Sequence, residues 1–272
     1  MTDVVAFGEV LWDIIDGMPH IGGAPLNFAA HVAKCGLTAS LVSSVGKDDL
    51  GRRALSWAER LGIDVSAVRV HPSLPTGTVN VTLADGIPSY EIVKPVAWDE
   101  ISAPTPSAAP RAFYFGTLAQ RSPVSARTLQ SLLAAFGGSL VFFDVNLRQT
   151  YWSRELVADC LNAADILKVN DEEMHALGFA PLSLFAEHPR LRTVIETRGA
   201  DGCAVWSRRG DCFTSPAVSD GPVVDTVGAG DAFSAAFLAG VLGGRSLEEA
   251  ARAGNVRAGK VAARAGAVPD GV

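Results

Sequence analysis

The stretch Val223–Gly240, VVDTVGAGDAFSAAFLAG, sets two aspartates around a cluster of glycines and then runs into small and apolar residues. Gly228, Ala229 and Gly230 read as the turn into a helix that continues through Phe233, Phe237 and Leu238. The first amides of a helix have no internal partner, the dipole is positive there, and glycine lets an anion approach the backbone. Asp231 then falls in the first helical turn, where the dipole stabilises a carboxylate and keeps it ionised at neutral pH. From that position it can take a proton from an alcohol attacking phosphorus while the amides hold the growing charge. The same letters also fit a glycine-rich turn in which Asp225 or Asp231 only caps a helix.

A second glycine pair bears on that choice. HIGGAPLNFAAHVAKCG, from His20, places Gly22 and Gly23 before a helix expected over Leu26–Lys34, opened by Pro25 and closed near Gly36. The glycines permit close approach to a ligand, and Asn27, one turn inside, offers the donor and acceptor that a polyol hydroxyl needs. Taken alone this could be a tight turn with an Asn on a polar helix face.

Between these segments, short β-branched or aromatic runs (VVAF, ASLVSSV, AFYF, SLVFFDV, DILKV, RTVIET) alternate with helical patterns at Leu50–Leu61, Ser125–Phe136 and Arg154–Asn162. That alternation predicts a largely parallel sheet covered by helices on both faces. The region Thr76–Pro95 departs from it: two alternating strand patterns flank Asp85-Gly86, a strong hairpin signal, and EVLWDII near the start can add a strand to them. This excursion reads as a lid, with Asn80 on the face toward a sugar, or as a plain extension of the sheet. Ser102–Pro110, rich in Pro and Ser, should connect it back to the main sheet, and Leu247–Arg264 should form a helix or two over the last face.

A chain of 272 residues suits one sizeable α/β domain. The four cysteines form no C-x-x-C pair and read as reduced thiols filling a core, and the five histidines show no zinc-ligand spacing. The first residues lack the basic start of a signal peptide and no apolar run is long enough to cross a bilayer, so a cytoplasmic protein without membrane contact is expected. A net charge of −6 argues against nucleic acid and for small-molecule partners.

The two glycine motifs, taken with the markers between them, resemble the ribokinase-like, PfkB-type carbohydrate kinase family over nearly the whole chain. DTVGAGDAF resembles its C-terminal signature and GGAPLNFAAHVAKCG its N-terminal one; GE at Gly8 and Glu9, SVGKDDLG from Ser44, DVNLR from Asp144, LKVNDEE from Leu167 and TRGADG from Thr197 follow in the family's order. The GE start, GGAP and D-x-N-L-R are more similar to fructokinases than to ribokinases.

The resemblance implies a ribokinase-like α/β domain over residues 1–272, with a small β-sheet lid from about 10–20 and 74–97. It implies Asp231 as base, the amides of Gly228, Ala229 and Gly230 as anion hole, and Arg148 near phosphate oxygens. Asp13, Gly22, Gly23 and Asn27 would bind the sugar. Lys168, Asn170, Thr197, Gly199, Gly202, Asp225 and Asn255 would serve the nucleotide, and Glu173 its magnesium through water. Arg148 could instead pair with Asp144, Lys168 could be solvated at a strand end, and Asn255 could cap or face solvent. ATP and magnesium are the implied cofactors, with room for a monovalent cation such as potassium, and a homodimer through the lid sheets is implied. Two departures fall at the adenine end: the stretch between Phe179 and Arg192 is short, and AGNVRAG carries Gly and Arg where Ala is commoner.

The expected activity is transfer of the ATP γ-phosphoryl group to a primary hydroxyl of a monosaccharide, with fructose leading. The alternatives are a kinase for 2-keto-3-deoxygluconate, ribose or a nucleoside, and a sugar-binding regulator without turnover, whose cheapest sign would be loss of Asp231. A dinucleotide oxidoreductase would need G-x-G-x-x-G after the first strand, where the chain reads AFGEVLWD.

Overall fold

Four consecutive apolar residues form β1 (Val4–Phe7), and all four are buried because a central parallel strand is covered on both faces. The computed structural model describes residues 2–84, 87–103 and 108–272, with the side chains of 82–89 outside that description. The expected turn at Asp85-Gly86 and residues 104–107 of the Ser102–Pro110 connection lie outside the described residues.

From β1 the chain continues through β2 (Leu11–Ile15), β3 (Met18–Gly22), α1 (Ala24–Lys34), β4 (Ala39–Gly46), α2 (Asp49–Arg60), β5 (Ile63–Asp64), β6 (Val68–His71), β7 (Gly77–Ala84) and β8 (Ile87–Ile92). It then forms β9 (Ala112–Phe115), α3 (Pro123–Ala135), β10 (Leu140–Asp144), α4 (Arg154–Ala163), β11 (Ile166–Asn170), α5 (Asp171–Leu177) and α6 (Pro181–Glu187). Last come β12 (Thr193–Thr197), β13 (Cys203–Ser207), β14 (Cys212–Ser215), α7 (Ala229–Leu242) and α8 (Leu247–Ala262). The helix expected from Arg154 starts there, whereas α2 and α3 start one and two residues early because of their caps: Asp48 accepts from the Gly51 amide to open α2, and Ser122 accepts from Val124 to open α3.

The main sheet runs β14-β13-β12-β11-β10-β9-β1-β4-β5, with β6 also on β4. Its pairs are parallel from β12 to β5, and the β12-β13-β14 edge is antiparallel. Two buried clusters lie on its two faces. Alternation along β9 divides them: Phe113 and Phe115 belong to one, Ala112 and Tyr114 to the other. On the second face α7 and α8 pack closely, because Gly254 lies under the Phe233 ring and a Cβ there would fall 2.7 Å from it. That contact accounts for glycine in the AGNVRAG stretch. The short segment after Phe179 still forms one helix, α6.

The excursion forms a separate four-stranded sheet, β3-β2-β7-β8, with β2 and β7 parallel and the outer pairs antiparallel. Register assigns its faces. Asp13 pairs with His20 and Val79, and Val79 with Ile92, while Ile15, two residues on, pairs with Met18 and Val81, and Val81 with Tyr90. These rows share one face, since side chains two apart along a strand point the same way. Asn80 pairs with Ile14 and so lies on the opposite face from Asp13, where it donates to Glu91 at 3.1 Å. Asn80, expected on the face toward a sugar, therefore does not share a face with Asp13. The root of this sheet is held by Arg121, which pairs with Asp99 at 2.7 Å and donates to Val93 O at 2.8 Å. Losing one partner of that buried pair costs about 3–5 kcal/mol.

The four cysteines are free; Cys160 and Cys203 are buried, but Cys212 is exposed, against the expectation of core fillers. Among the described residues no helix is long and apolar enough to cross a membrane.

Candidate active site

The site lies where the chain leaves the C-terminal ends of β1, β10 and β11 and enters α1, α5 and α7. After β1 the backbone turns at Gly8, whose carbonyl accepts from Ser43 Oγ at 2.6 Å, and Glu9 turns inward, 4% exposed. Its Oε1 accepts from the Ala24 amide at 3.3 Å, which ties the start of α1 to the end of β1. Between them Gly23 takes φ 110°, and a Cβ there would lie 2.5 Å from Glu9 O, so conformation and space both require glycine. Burial pushes the Glu9 carboxyl up to about 7; the Arg148 charge opposes the rise and the Asp231 charge adds to it. Asp13 lies over the same turn, its Oδ2 2.9 Å from where a Cβ of Gly22 would be, and burial raises it against the charges of His20 and Arg148.

Asn27, one turn into α1, donates from Nδ2 to Asp231 Oδ2 at 2.9 Å across 204 positions of sequence. Its Oδ1 is buried and has no hydrogen-bond partner among the described residues. Asp231 is in the first turn of α7, as the sequence predicts, but its ionisation differs from that prediction. Burial, then the Asp144 charge, push it up to about 7, while the Asn27 hydrogen bond, Lys168 and Arg148 oppose the rise. Desolvation outweighs the helix dipole here.

Asp144, at the end of β10 and 1% exposed, accepts from Lys168 Nζ at 3.1 Å, Tyr114 Oη at 3.3 Å and Ser234 Oγ at 3.1 Å. Lys168 is thus neither solvated nor free. Burial acts to lower its pKa, but the charges of Asp144, Glu173 and Asp231 win and hold it above the usual lysine value. A Cβ on Gly230 would lie 3.3 Å from Lys168 Nζ, which places the ammonium at the first turn of α7. The turn itself depends on Gly228, with φ 76° and a hypothetical Cβ 2.5 Å from Ala267 O. Of the three expected anion-hole amides, that of Ala229 already donates to Thr226 O at 3.2 Å.

Arg148 does not pair with Asp144. It is exposed, donates to Leu147 O at 3.0 Å, and its charge reaches Glu9, Asp13 and Asp231. The loop that carries it holds Asn146 at φ 44° and Gln149 at φ 48°, left-handed values uncommon outside glycine. Glu173 fastens this loop: Oε1 accepts from the Leu147 amide at 2.8 Å and Oε2 from the Asn170 amide at 2.9 Å, while Asn170 Oδ1 accepts from the Glu173 amide at 2.7 Å. The expected magnesium motif is therefore also the capping box of α5.

Of the other expected nucleotide residues, Gly202 and Asn255 both adjoin Ser215 and Pro216. Thr197 Oγ1 donates to Val169 O at 3.3 Å at the end of β12, and Gly199 and Gly202 make the left-handed turn into β13. Asp225 accepts from the amides of Val227 at 2.9 Å and Gly266 at 3.0 Å, which joins the segment before α7 to the one after α8. Asn255 is buried and donates to Ser215 O and Pro216 O at 3.0 and 3.1 Å, so its amide is engaged by the exit of β14. Sequence reasoning assigned no role to Glu9, Tyr114 or Ser234. Glu9 was visible in the GE pair, but a carboxylate just after a strand reads as solvent-facing. Among the described residues, no cluster of three or more His, Cys, Asp or Glu side chains is arranged to hold a metal ion.

The family model described as pfkB family carbohydrate kinase matches residues 2–270. Fructokinase-1 of Oryza sativa is 29% identical, covering 98% of this chain and 93% of that protein. An uncharacterized sugar kinase of Pyrococcus horikoshii is 28% identical, covering 90% of this chain and 84% of that protein. Its crystal structure in complex with ATP superposes with a TM-score of 0.85 at 25% identity, over 97% of this chain and 94% of that one. Aminoimidazole riboside kinase of Salmonella enterica, solved with its riboside and an ATP analog, gives a TM-score of 0.83 at 26% identity, over 97% and 95% of the two chains.

Proposed function

Since the chain belongs to the pfkB family of carbohydrate kinases, we propose that it transfers the ATP γ-phosphoryl group to a primary hydroxyl of a monosaccharide, with fructose the leading acceptor. The observation that carries this reading is the Asn27–Asp231 hydrogen bond, which brings the two glycine turns to one point. One turn opens toward Asp13 and the unpartnered Asn27 Oδ1, groups suited to hydroxyls; the other presents helix amides and Lys168, groups suited to phosphate oxygens.

In the reaction, Asp13 and Asn27 hold the sugar so that its hydroxyl meets Asp231. Asp231 accepts the hydroxyl proton as oxygen attacks phosphorus, and the Gly228 and Gly230 amides with Lys168 and Arg148 take up charge on the transferring group. Magnesium would arrive with the nucleotide and neutralise phosphate charge. Both Glu173 oxygens already accept backbone N–H groups, so Glu173, with Asn170, fits a magnesium held through its waters.

The small sheet would act as a lid that excludes water from the sugar, with Asp13 on its inner face. Farther along that face Ile15, Met18 and Tyr90 are 39%, 64% and 56% exposed, a row of apolar side chains that supports pairing of lid sheets in a homodimer. The fructokinase relative supports fructose, and the riboside kinase makes nucleosides the alternative acceptors. A coupled assay of ADP release across fructose, ribose, 2-keto-3-deoxygluconate and nucleosides tests the proposal. Fructose is expected to give the highest kcat/KM, and absence of acceptor-dependent ADP release from all of them would overturn it.

A further inference from the structure

α1 carries two polar side chains aimed at the α7 turn, and only Asn27 has so far been given a part. His31, one turn farther along the same helix, is fully buried. Its Nε2 lies 2.9 Å from Ala267 O, and its Nδ1 accepts from Arg257 Nε at 3.3 Å. Arg257 is a donor only, so Nδ1 must be the bare nitrogen and Nε2 must carry the proton it gives to Ala267. Burial, with the charges of Arg257 and Lys34, pushes His31 down to about 4 against the Ala267 hydrogen bond, so the ring is neutral in this arrangement. Ala267 is in turn the residue packed against Gly228: its carbonyl oxygen, Cα and Cβ all lie within 2.7 Å of where a Cβ of Gly228 would be. The preceding Gly266 amide donates to Asp225, on the other side of the same turn.

We infer that His31 is a positioning residue for phosphoryl transfer: by holding the Ala267 carbonyl against Gly228 it fixes the left-handed turn that aims the α7 amides. α1 then connects the acceptor turn at Gly22-Gly23 to both walls of the phosphate turn, through Asn27 to Asp231 and through His31 to Ala267. Arg257 contributes by selecting the tautomer. Lys34, which donates to Pro269 O at 3.0 Å, and Arg257, which donates to Val272 O at 3.2 Å, hold the rest of the C-terminal segment onto this arrangement.

The inference rests on the proposed role of Asp231 and the Gly228 turn, and the test separates the two. In the full chain, His31→Phe keeps ring volume without the donor, His31→Gln keeps a donor near the Nε2 position, and Arg257→Met removes the group that selects the tautomer. Asp231→Asn is the reference. Steady-state kcat and KM for sugar and ATP are measured with thermal melting. His31→Phe is expected to lower kcat about 10- to 100-fold with both KM values nearly unchanged, because small misplacement of charge-holding donors is felt mainly in the transition state. His31→Gln should recover most of that loss and Arg257→Met should fall between them.

Wild-type kcat in folded His31→Phe, a loss confined to KM, or equal losses in the Phe and Gln variants would overturn the inference. If His31→Phe does not fold, an unchanged kcat in Arg257→Met overturns it instead. Should Asp231→Asn keep its turnover, the underlying reading of the site fails; should Asp231→Asn be inactive while the His31 and Arg257 variants are not, the inference alone fails.

Discussion

At the acceptor end of the cleft, Glu9, Asp13, Asp144 and Asp231 share a small region with Lys168 and Arg148, and Glu9 and Asp231 are both pushed up to about 7. At the end proposed for the nucleotide, Val223, Val224 and Val227 are 71%, 61% and 54% exposed, and Asp225 and Asn255 spend their polar atoms on the chain itself. The acceptor end holds buried charge that is costly unless a hydroxyl and phosphates arrive to use it. The end proposed for the nucleotide offers open apolar surface and fixed loops, which would suit a planar base bound by burial. On the proposed reading, chemistry would be concentrated where the electrostatics are least relaxed, while the other end would chiefly supply a shaped surface.

Three substitutions break or sharpen that contrast. The largest effect is expected from Asp231→Asn, which keeps shape but removes the proton acceptor; turnover should fall about 10²- to 10⁴-fold while sugar affinity changes little. Near-full turnover, measured by the coupled assay, would move the chemistry elsewhere. Next is Gly228→Ala. Its Cβ would meet the Ala267 carbonyl in a left-handed conformation, so kcat should fall about 10- to 100-fold as the amides lose their aim. An alanine variant with unchanged kcat would show that the turn's geometry does not limit transfer.

The smallest is Glu173→Gln, at the position proposed to hold magnesium through its waters. One Glu173 oxygen would be replaced by an amide group facing a backbone N–H, so melting should report a loss of about 1–3 kcal/mol. A rise in the magnesium needed for half-maximal rate would add the water-mediated role to the structural one. Unchanged magnesium dependence would leave Glu173 only the fastening of the Arg148 loop.

Much of this was legible in the sequence because its signals are local. Runs such as VVAF and AFYF read as buried strands, Pro25 opens a helix, and glycine before Asp231 marks a helix start. The paired glycine motifs also identified the residues that meet, although nothing local says that Asn27 reaches Asp231 across 204 positions. What could not be read depends on tertiary packing. The ionisation of Asp231 is set by Asp144 and by burial, which a helix-dipole argument omits. The side on which Asn80 falls depends on the parallel register of β2 with β7. His31 looks like an interior histidine until the C-terminal segment is seen to return to it.

The central claim, that Asp231 is a desolvated base poised by its neighbours, is tested most directly by the pH dependence of kcat/KM for the sugar, which reports groups of the enzyme before that substrate binds. A carboxyl raised to about 7 is protonated and unable to accept a proton below that pH, so the rate should climb through a midpoint near 7 and level off above it. Asn27→Ala removes a hydrogen bond that favours the carboxylate, and should move that midpoint to higher pH. A profile flat from about pH 5 to 9, or a midpoint at the ordinary carboxylate value near 4, would contradict the account.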